Sequence, residues 1–151
     1  MKVEEGTHCR YQIRYHLVWK VKYSRKILFG ERIQFLKQVI MDIAERYEYI
    51  IEAVGTDENH VHVFAGAHPS QSPAKLVQTI KSISARELFK KYPDIKHYLW
   101  GGALWAIGYY VRTVSDGPID KVIKRYVNKQ EEMVHKNKNT AKRSYQLKLV
   151  P

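Results

Sequence analysis

The chain has 151 residues, 44% of them hydrophobic, and its 26 Lys and Arg against 15 Asp and Glu leave a formal charge of +11. That length suits one core rather than two ordinary domains. The lone Cys9 excludes an intramolecular disulfide and a Cys-rich zinc site, and the absence of any run of about 18 apolar residues or of an apolar stretch behind Met1-Lys2-Val3-Glu4-Glu5-Gly6 argues against membrane insertion and secretion, so a cytoplasmic location is expected.

The first predicted element runs from Tyr11 to Tyr23, where Tyr11, Ile13, Tyr15, Leu17, Trp19, Val21 and Tyr23 alternate with mostly polar residues, the pattern of a long half-buried strand. Ile33, Leu36, Ile40, Ile43, Ala44 and Tyr47 then recur at spacings of three and four, predicting a helix over about Glu31 to Tyr49. A second strand is expected over Ile50 to Val54, ended by Gly55, and a third over Asn59 to Gly66 after a turn at Thr56-Asp57-Glu58. Ser72-Pro73 has the form of an N-cap followed by proline at the first helical position, and the stripe Leu76, Val77, Ile80, Ile83, Leu88 carries that helix to Tyr92-Pro93. After a glycine-broken stretch a strand is expected over Tyr109 to Thr113, then a last helix from about Ile119 to Val134. Lys136 to Lys148 is basic and poorly periodic and reads as a loosely held tail.

The order is β-α-β-β-α-β with one added C-terminal helix. This is the α+β, ferredoxin-like arrangement, a four-stranded antiparallel sheet whose first and third strands are central. The added helix is the element available to shelter the sheet face that the other helices leave open.

Within the third strand, His60 and His62 stand two residues apart. A strand has a side-chain period of two, so both project from one face and can grip one metal ion while Val61 and Val63 face the other way. Chance alone supplies roughly 0.3 such pairs in a chain of this composition, so a second feature is needed. On the last helix Tyr126 and Gln130 are four residues apart and share a face. A phenol can attack phosphorus when a nearby cation holds the phosphate, and an amide oxygen is a neutral hard ligand. Both pairs also have plain structural readings: Tyr126 lies on the same stripe as Val122 and Ile123 and can be a packed tyrosine, and imidazoles in a sheet can simply bond their neighbours.

The excess of positive charge points to a polyanion, nucleic acid first, and eleven tyrosines with three tryptophans suit splayed single strands. Candidate phosphate contacts are Arg14, Lys20, Lys22, Arg25, Lys26, Lys75 and Lys81, although a charged face can also be only a solvated one.

His60-Val61-His62 in a strand, Leu104-Trp105 to Gly108-Tyr109-Tyr110, Ile123-Lys124-Arg125-Tyr126-Val127-Asn128-Lys129-Gln130, and the opening Tyr15-His16-Leu17-Val18-Trp19-Lys20-Val21-Lys22-Tyr23 occur in an order and at separations that resemble the single-tyrosine HUH transposases of the IS200/IS605 insertion-sequence group. The resemblance covers about residues 10 to 132. It implies a catalytic domain over 10–134 and a basic tail over 135–151. It implies that His60, His62 and Gln130 hold a divalent ion, Mg²⁺ or Mn²⁺, and that Tyr126 cleaves single-stranded DNA to leave a 5′-phosphotyrosine and a free 3′-OH. It further implies hairpin-bearing DNA ends as partner, and a homodimer in which the tyrosine helix of one subunit serves the histidines of the other.

Other readings stay open at this point. A repeat-associated or replication-type HUH nuclease would use the same residues. A non-catalytic single-strand-binding module would need the sheet and its aromatics but neither metal nor covalent product. A zinc hydrolase would need a general base beside the metal, and no His-Glu-x-x-His is present.

Overall fold

The computed structural model describes residues 1–100 and 102–136, with side chains described up to residue 129. Two short strands, β1 (Glu4–Glu5) and β2 (Arg10–Tyr11), form an N-terminal hairpin. The main sheet is built from β3 (Tyr15–Lys20), β4 (Ile50–Asp57), β5 (His60–Gly66) and β6 (Tyr110–Thr113). Helix α1 (Glu31–Tyr47) joins β3 to β4, α2 (Pro73–Lys91) leads from β5 toward β6, and α3 (Pro118–Lys136) follows β6. The sheet order is β4-β5-β3-β6 with every neighbouring pair antiparallel, so the first and third strands of the βαββαβ unit are central.

The two sheet faces are covered by different elements. Leu17, Trp19 and Val21 of β3 and its continuation, with Val61, Val63 and Ala65 of β5, are buried under Leu36, Ile40 and Ile43 of α1 and Leu76, Val77 and Ile80 of α2. Trp105 meets Trp19 edge-on at 6.0 Å and its indole N–H donates to Ser84 Oγ at 3.0 Å, which satisfies the one polar atom that ring brings inside. On the opposite face Ala53, Phe64, Val114 and Val127 form a second, smaller cluster, with Ile123 packed against it. Helix α3 therefore covers the face that α1 and α2 leave open.

Two aliphatic side chains, Ile123 and Val127, supply about 3–5 kcal/mol by burial, so polar ties matter for holding α3. Glu52 is the extra residue of a bulge in β4, between Ile51 paired with Ala65 and Ala53 paired with Phe64. Its carboxylate accepts from Arg14 Nε at 2.9 Å and from Lys124 of α3. Burial would raise the Glu52 pKa, but Lys124 and Arg14 outweigh it and hold the group below the ordinary carboxylate range. At the other end of the contact Asp120, in the first turn of α3, accepts from Ser115 N at 2.7 Å, Ser115 Oγ at 2.9 Å and the Arg112 guanidinium of β6. A carboxylate at a helix N-terminus also meets the positive end of the helix dipole.

Several expectations are corrected. The strand expected over Tyr11 to Tyr23 is broken: Arg10–Tyr11 pairs with the N-terminal hairpin, β3 ends at Lys20, and Lys22–Ser24 is a short 3-10 turn in which Tyr23 and Ser24 have positive φ, which no continuous strand can hold. Strand β4 runs through Gly55 to Asp57 instead of ending there, and the turn falls at Glu58-Asn59. The last helix begins at Pro118 and reaches Lys136. The tail expected beyond it lies, from residue 137, outside the described residues.

Candidate active site

The alternation of β5 decides which side chains reach the α3 face: Val61 and Val63 enter the main core, and His60, His62 and Phe64 point the other way. The tight Glu58-Asn59 turn sets His60 opposite Asp57. It is pinned from outside by Leu28 N donating to Glu58 O at 3.0 Å and Val21 N donating to Asn59 O at 2.9 Å. The expected display of both imidazoles on one face is what the structure shows, with ring centroids 4.9 Å apart and edge-on.

Each ring has one nitrogen engaged. His60 Nδ1 lies 2.8 Å from Asn59 Oδ1, and an amide oxygen only accepts, so Nδ1 carries the hydrogen and Nε2 is the nitrogen left for a cation. His62 Nδ1 lies 3.0 Å from Nε2 of His16 on the neighbouring central strand. His16 in turn stacks flat on the buried Phe64 ring at 4.4 Å. Burial, then the charges of His60 and His16, push the His62 pKa down to about 4, with Asp57 opposing. Burial and Arg112 likewise lower His16. Both rings are thus neutral at physiological pH, the form in which imidazole binds a cation.

Helix α3 crosses beside this pair. A Cβ on Gly55 would run into the Val127 side chain and lie 2.9 Å from Val127 O, and Gly55 is the cross-strand partner of His62. Glycine at that position lets the helix backbone come down onto the strand. The next residue back, Tyr126, points outward and is 64% exposed, so the packed position on this helix belongs to Val127 and the core reading of Tyr126 fails. Among the described residues Tyr126 makes no hydrogen bond or ring contact with His60 or His62. The Gln130 side chain lies outside the described residues.

The donor chemistry at this face fits a divalent cation in part. Two imidazoles whose Nδ1 atoms are engaged and whose Nε2 atoms are left for a cation make a half-site, and among the described residues no third His, Cys, Asp or Glu completes it. A further ligand would come from outside the described side chains, where the sequence places the amide oxygen of Gln130.

The candidate phosphate contacts separate. Lys20 is exposed and directly opposite His60, and Lys22 lies over the Tyr23 ring at 5.1 Å. Lys26 is 3.8 Å from Glu58, and Lys75 is exposed at the start of α2. Arg25 has its Nε buried without a partner. Lys81 donates to Ala106 O and Gly108 O at 2.7 and 3.0 Å, so its ammonium ties a loop down. Arg14 is a correction: it is 3% exposed, with its guanidinium spent on Glu52, Glu4 and its neighbour's carbonyl, because a bulged carboxylate on β4 needs a buried cation. Sequence patterning also passed over Asn59, Phe64 and Gly55. Only Gly55 left a trace, as a glycine between the β-branched Val54 and Thr56.

The four-stranded antiparallel sheet thus carries a histidine pair on a central strand and is crossed by the tyrosine-bearing helix α3. A family model described as "Transposase IS200 like" matches residues 9–130. The ISDra2 transposase TnpA of Deinococcus radiodurans is 35% identical over 132 residues, 87% of this chain and 94% of that protein. The transposase for insertion sequence element IS200 of Salmonella typhimurium is 26% identical over 125 residues, 83% of this chain and 81% of that one. A crystal structure of a Deinococcus radiodurans R1 protein described as a transposase superposes with a TM-score of 0.70 at 33% identity, covering 84% of this chain and 97% of that one. A tyrosine transposase solved bound to a REP hairpin shares the fold, with a TM-score of 0.55 at 12% identity over 82% of this chain and 70% of its own. The chain belongs to the IS200-like transposase family, of the single-tyrosine type. Among the described residues no helix is long and apolar enough to cross a membrane.

Proposed function

We propose that this transposase cuts and rejoins single-stranded DNA at insertion-sequence ends by transesterification, with Tyr126 as nucleophile. The observation that carries the reading is the shared face: His60 and His62 offer Nε2 atoms on the side of the sheet where α3 lies, and α3 leaves Tyr126 open to solvent. In the cleavage step Tyr126 Oη gives up its proton, bonds to phosphorus, and the bond from phosphorus to the 3′-oxygen breaks, leaving a 5′-phosphotyrosine and a 3′-OH that takes up a proton. One ester replaces another, so a second 3′-OH reverses the step without outside energy.

His60 and His62, with Gln130 as the third ligand that the family resemblance implies, would hold Mg²⁺ or Mn²⁺. Such an ion supplies charge that stabilises the phosphate oxygens as negative charge builds on them. The chain's own groups do the rest: Asn59 and His16 orient the two imidazoles, and Lys20 adds positive charge opposite His60. The proposed catalytic domain spans 10–134, with 135–151 a basic extension.

The reading extends to a homodimer with composite sites. Ile119, Val122 and Tyr126 stand at spacings of three and four on the outer side of α3, each more than half exposed, while Ile123 and Val127 pack inward. Such a second apolar stripe suits a partner protomer. Single strands carrying hairpins are the proposed DNA partner, as the family resemblance implies.

Incubation with 5′-labelled and 3′-labelled single-stranded hairpin DNA from element ends, with Mg²⁺ or Mn²⁺, followed by denaturing electrophoresis, tests the proposal. The expected product is a covalent protein–DNA species carrying the label on the 3′ side of the break, absent in Tyr126→Phe. A covalent species that persists in Tyr126→Phe, or none with any cation, rejects it.

A further inference from the structure

Beyond β3 the chain does something its composition does not require. Tyr23, Ser24 and Trp100 have φ of 60°, 52° and 45°, in the left-handed region that bulky residues avoid. This strain does not serve the core, since Tyr23 is 57% and Trp100 81% exposed. It is held from beneath by buried neighbours: Val21 and Leu99 are fully buried, Val21 bridges to Trp105, and Lys22 N donates to Leu104 O at 2.8 Å. The result is two rings side by side in solvent, with centroids 6.2 Å apart and planes tilted by 55°. Lys22 flanks them, with Nζ 5.1 Å from the Tyr23 centroid and 2.6 Å from where a Cβ on Gly102 would stand.

We infer that Tyr23 and Trp100 form a stacking platform for an unpaired nucleobase of the strand bound at the histidines, with Lys22 and Lys20 facing its phosphates. Exposed ring faces beside cations match the two parts of a single-stranded nucleotide, a π-face and a phosphate. A duplex keeps its bases stacked and offers no such face. The position fits as well. Lys20 sits opposite His60, and Tyr23 is three residues further on, at most about 10 Å of extended chain, which a stacked strand covers in about three nucleotides or fewer.

The platform deepens the strand-transfer reading and rests on it, but it can fail separately. Trp19 and Trp105 are 1% and 5% exposed, so a change in intrinsic emission on adding DNA reports chiefly on Trp100. The experiment titrates the full chain, without added metal, with fluorescein-labelled oligothymidylate for anisotropy and the unlabelled strand for tryptophan emission, at about 20 nucleotides, a length stacking reads without regard to sequence. A blunt duplex of equal length is the comparison. Quenching by the single strand and little by the duplex is expected, with about 10-fold weaker single-strand binding in Trp100→Ala and Tyr23→Ala and near-native binding in Trp100→Phe. Both rings are exposed, so thermal melting should show these variants folded. Binding without quenching, no binding, or unchanged affinity in Trp100→Ala overturns the platform. Should quenching occur while Mg²⁺ and hairpin DNA give no covalent product, the platform stands and the strand-transfer reading falls.

Discussion

His16 Nε2 lies 3.0 Å from His62 Nδ1, linking the two central strands by a bond between imidazoles on the face where α3 packs. For His62 to offer Nε2 to a cation, its Nδ1 must carry the hydrogen and donate to His16. Phe64 holds the acceptor flat against its own ring, so the geometry depends on one buried residue that touches no cation itself. His16→Phe keeps the stacking and removes the acceptor. It is expected to weaken Mn²⁺ binding by about 10–100-fold, with His16→Gln closer to native. Calorimetric titration of metal measures this, and equal affinity in His16→Phe would show the bond to be structural only.

Replacing both His60 and His62 with alanine should abolish cleavage and leave hairpin DNA binding largely intact. Phosphate and base contacts are expected on Lys20, Lys22, Tyr23 and Trp100 rather than on the imidazoles. Gel-shift and cleavage assays on the same preparation read the two properties separately. If binding disappears together with cleavage, the histidines hold the DNA surface in shape.

Gly55→Ala puts a methyl group into the Val127 backbone and side chain. Helix α3 must shift, at a cost of about 1–3 kcal/mol by the usual penalty for overpacking. Because Tyr126 rides on that helix, cleavage should fall by more than global stability does. Urea denaturation together with a cleavage rate tests this, and a native rate beside lowered stability would show that the seat of α3 on Gly55 does not position Tyr126.

Glu52→Gln leaves Arg14 buried with less charge to answer it and releases Lys124. A loss of about 1–3 kcal/mol is expected in chemical denaturation, the range for leaving a buried donor without its partner. Faster amide exchange in α3 than in α1 should accompany it. Uniform loss across both helices would show that Glu52 supports the main core instead.

The His62 pKa of about 4 carries a sign for stability. The unfolded chain takes up the proton near the ordinary imidazole value of about 6.5, while the folded ring resists until about pH 4. The unfolded state therefore binds more protons across that window, and metal-free stability falls as the pH drops from about 6.5 to about 4. Between about pH 6.5 and 5, above most carboxylate titration, His62→Gln should flatten the slope of unfolding free energy against pH. An unchanged slope would assign it to other groups.

Much of this was already written in residue order. The stripes of α1 and α2 and the Ser72-Pro73 start are local features, and period-two alternation alone assigned His60 and His62 to one face and Val61 and Val63 to the other. What patterning misread was set by distant partners. Arg14 looks like any surface cation until the bulge at Glu52 claims it. Gly55 looks like a strand terminator until α3 needs the room. Tyr126 and Val127 stand side by side on a helix with two apolar stripes, and periodicity has no means of choosing which stripe meets the sheet.

By itself, then, the order of residues determined the main helices and strands, the antiparallel α+β class and the shared orientation of the histidine pair, but not the break on either side of β3, because side-chain periods of a few residues set the former and distant pairing the latter. Only the tertiary structure decided that His16 backs His62, that Val127 faces inward and Tyr126 outward, and that Tyr23 and Trp100 meet in solvent. Those are contacts between segments tens of residues apart, fixed by how the helices and loops seat on the sheet, and no local repeat encodes them.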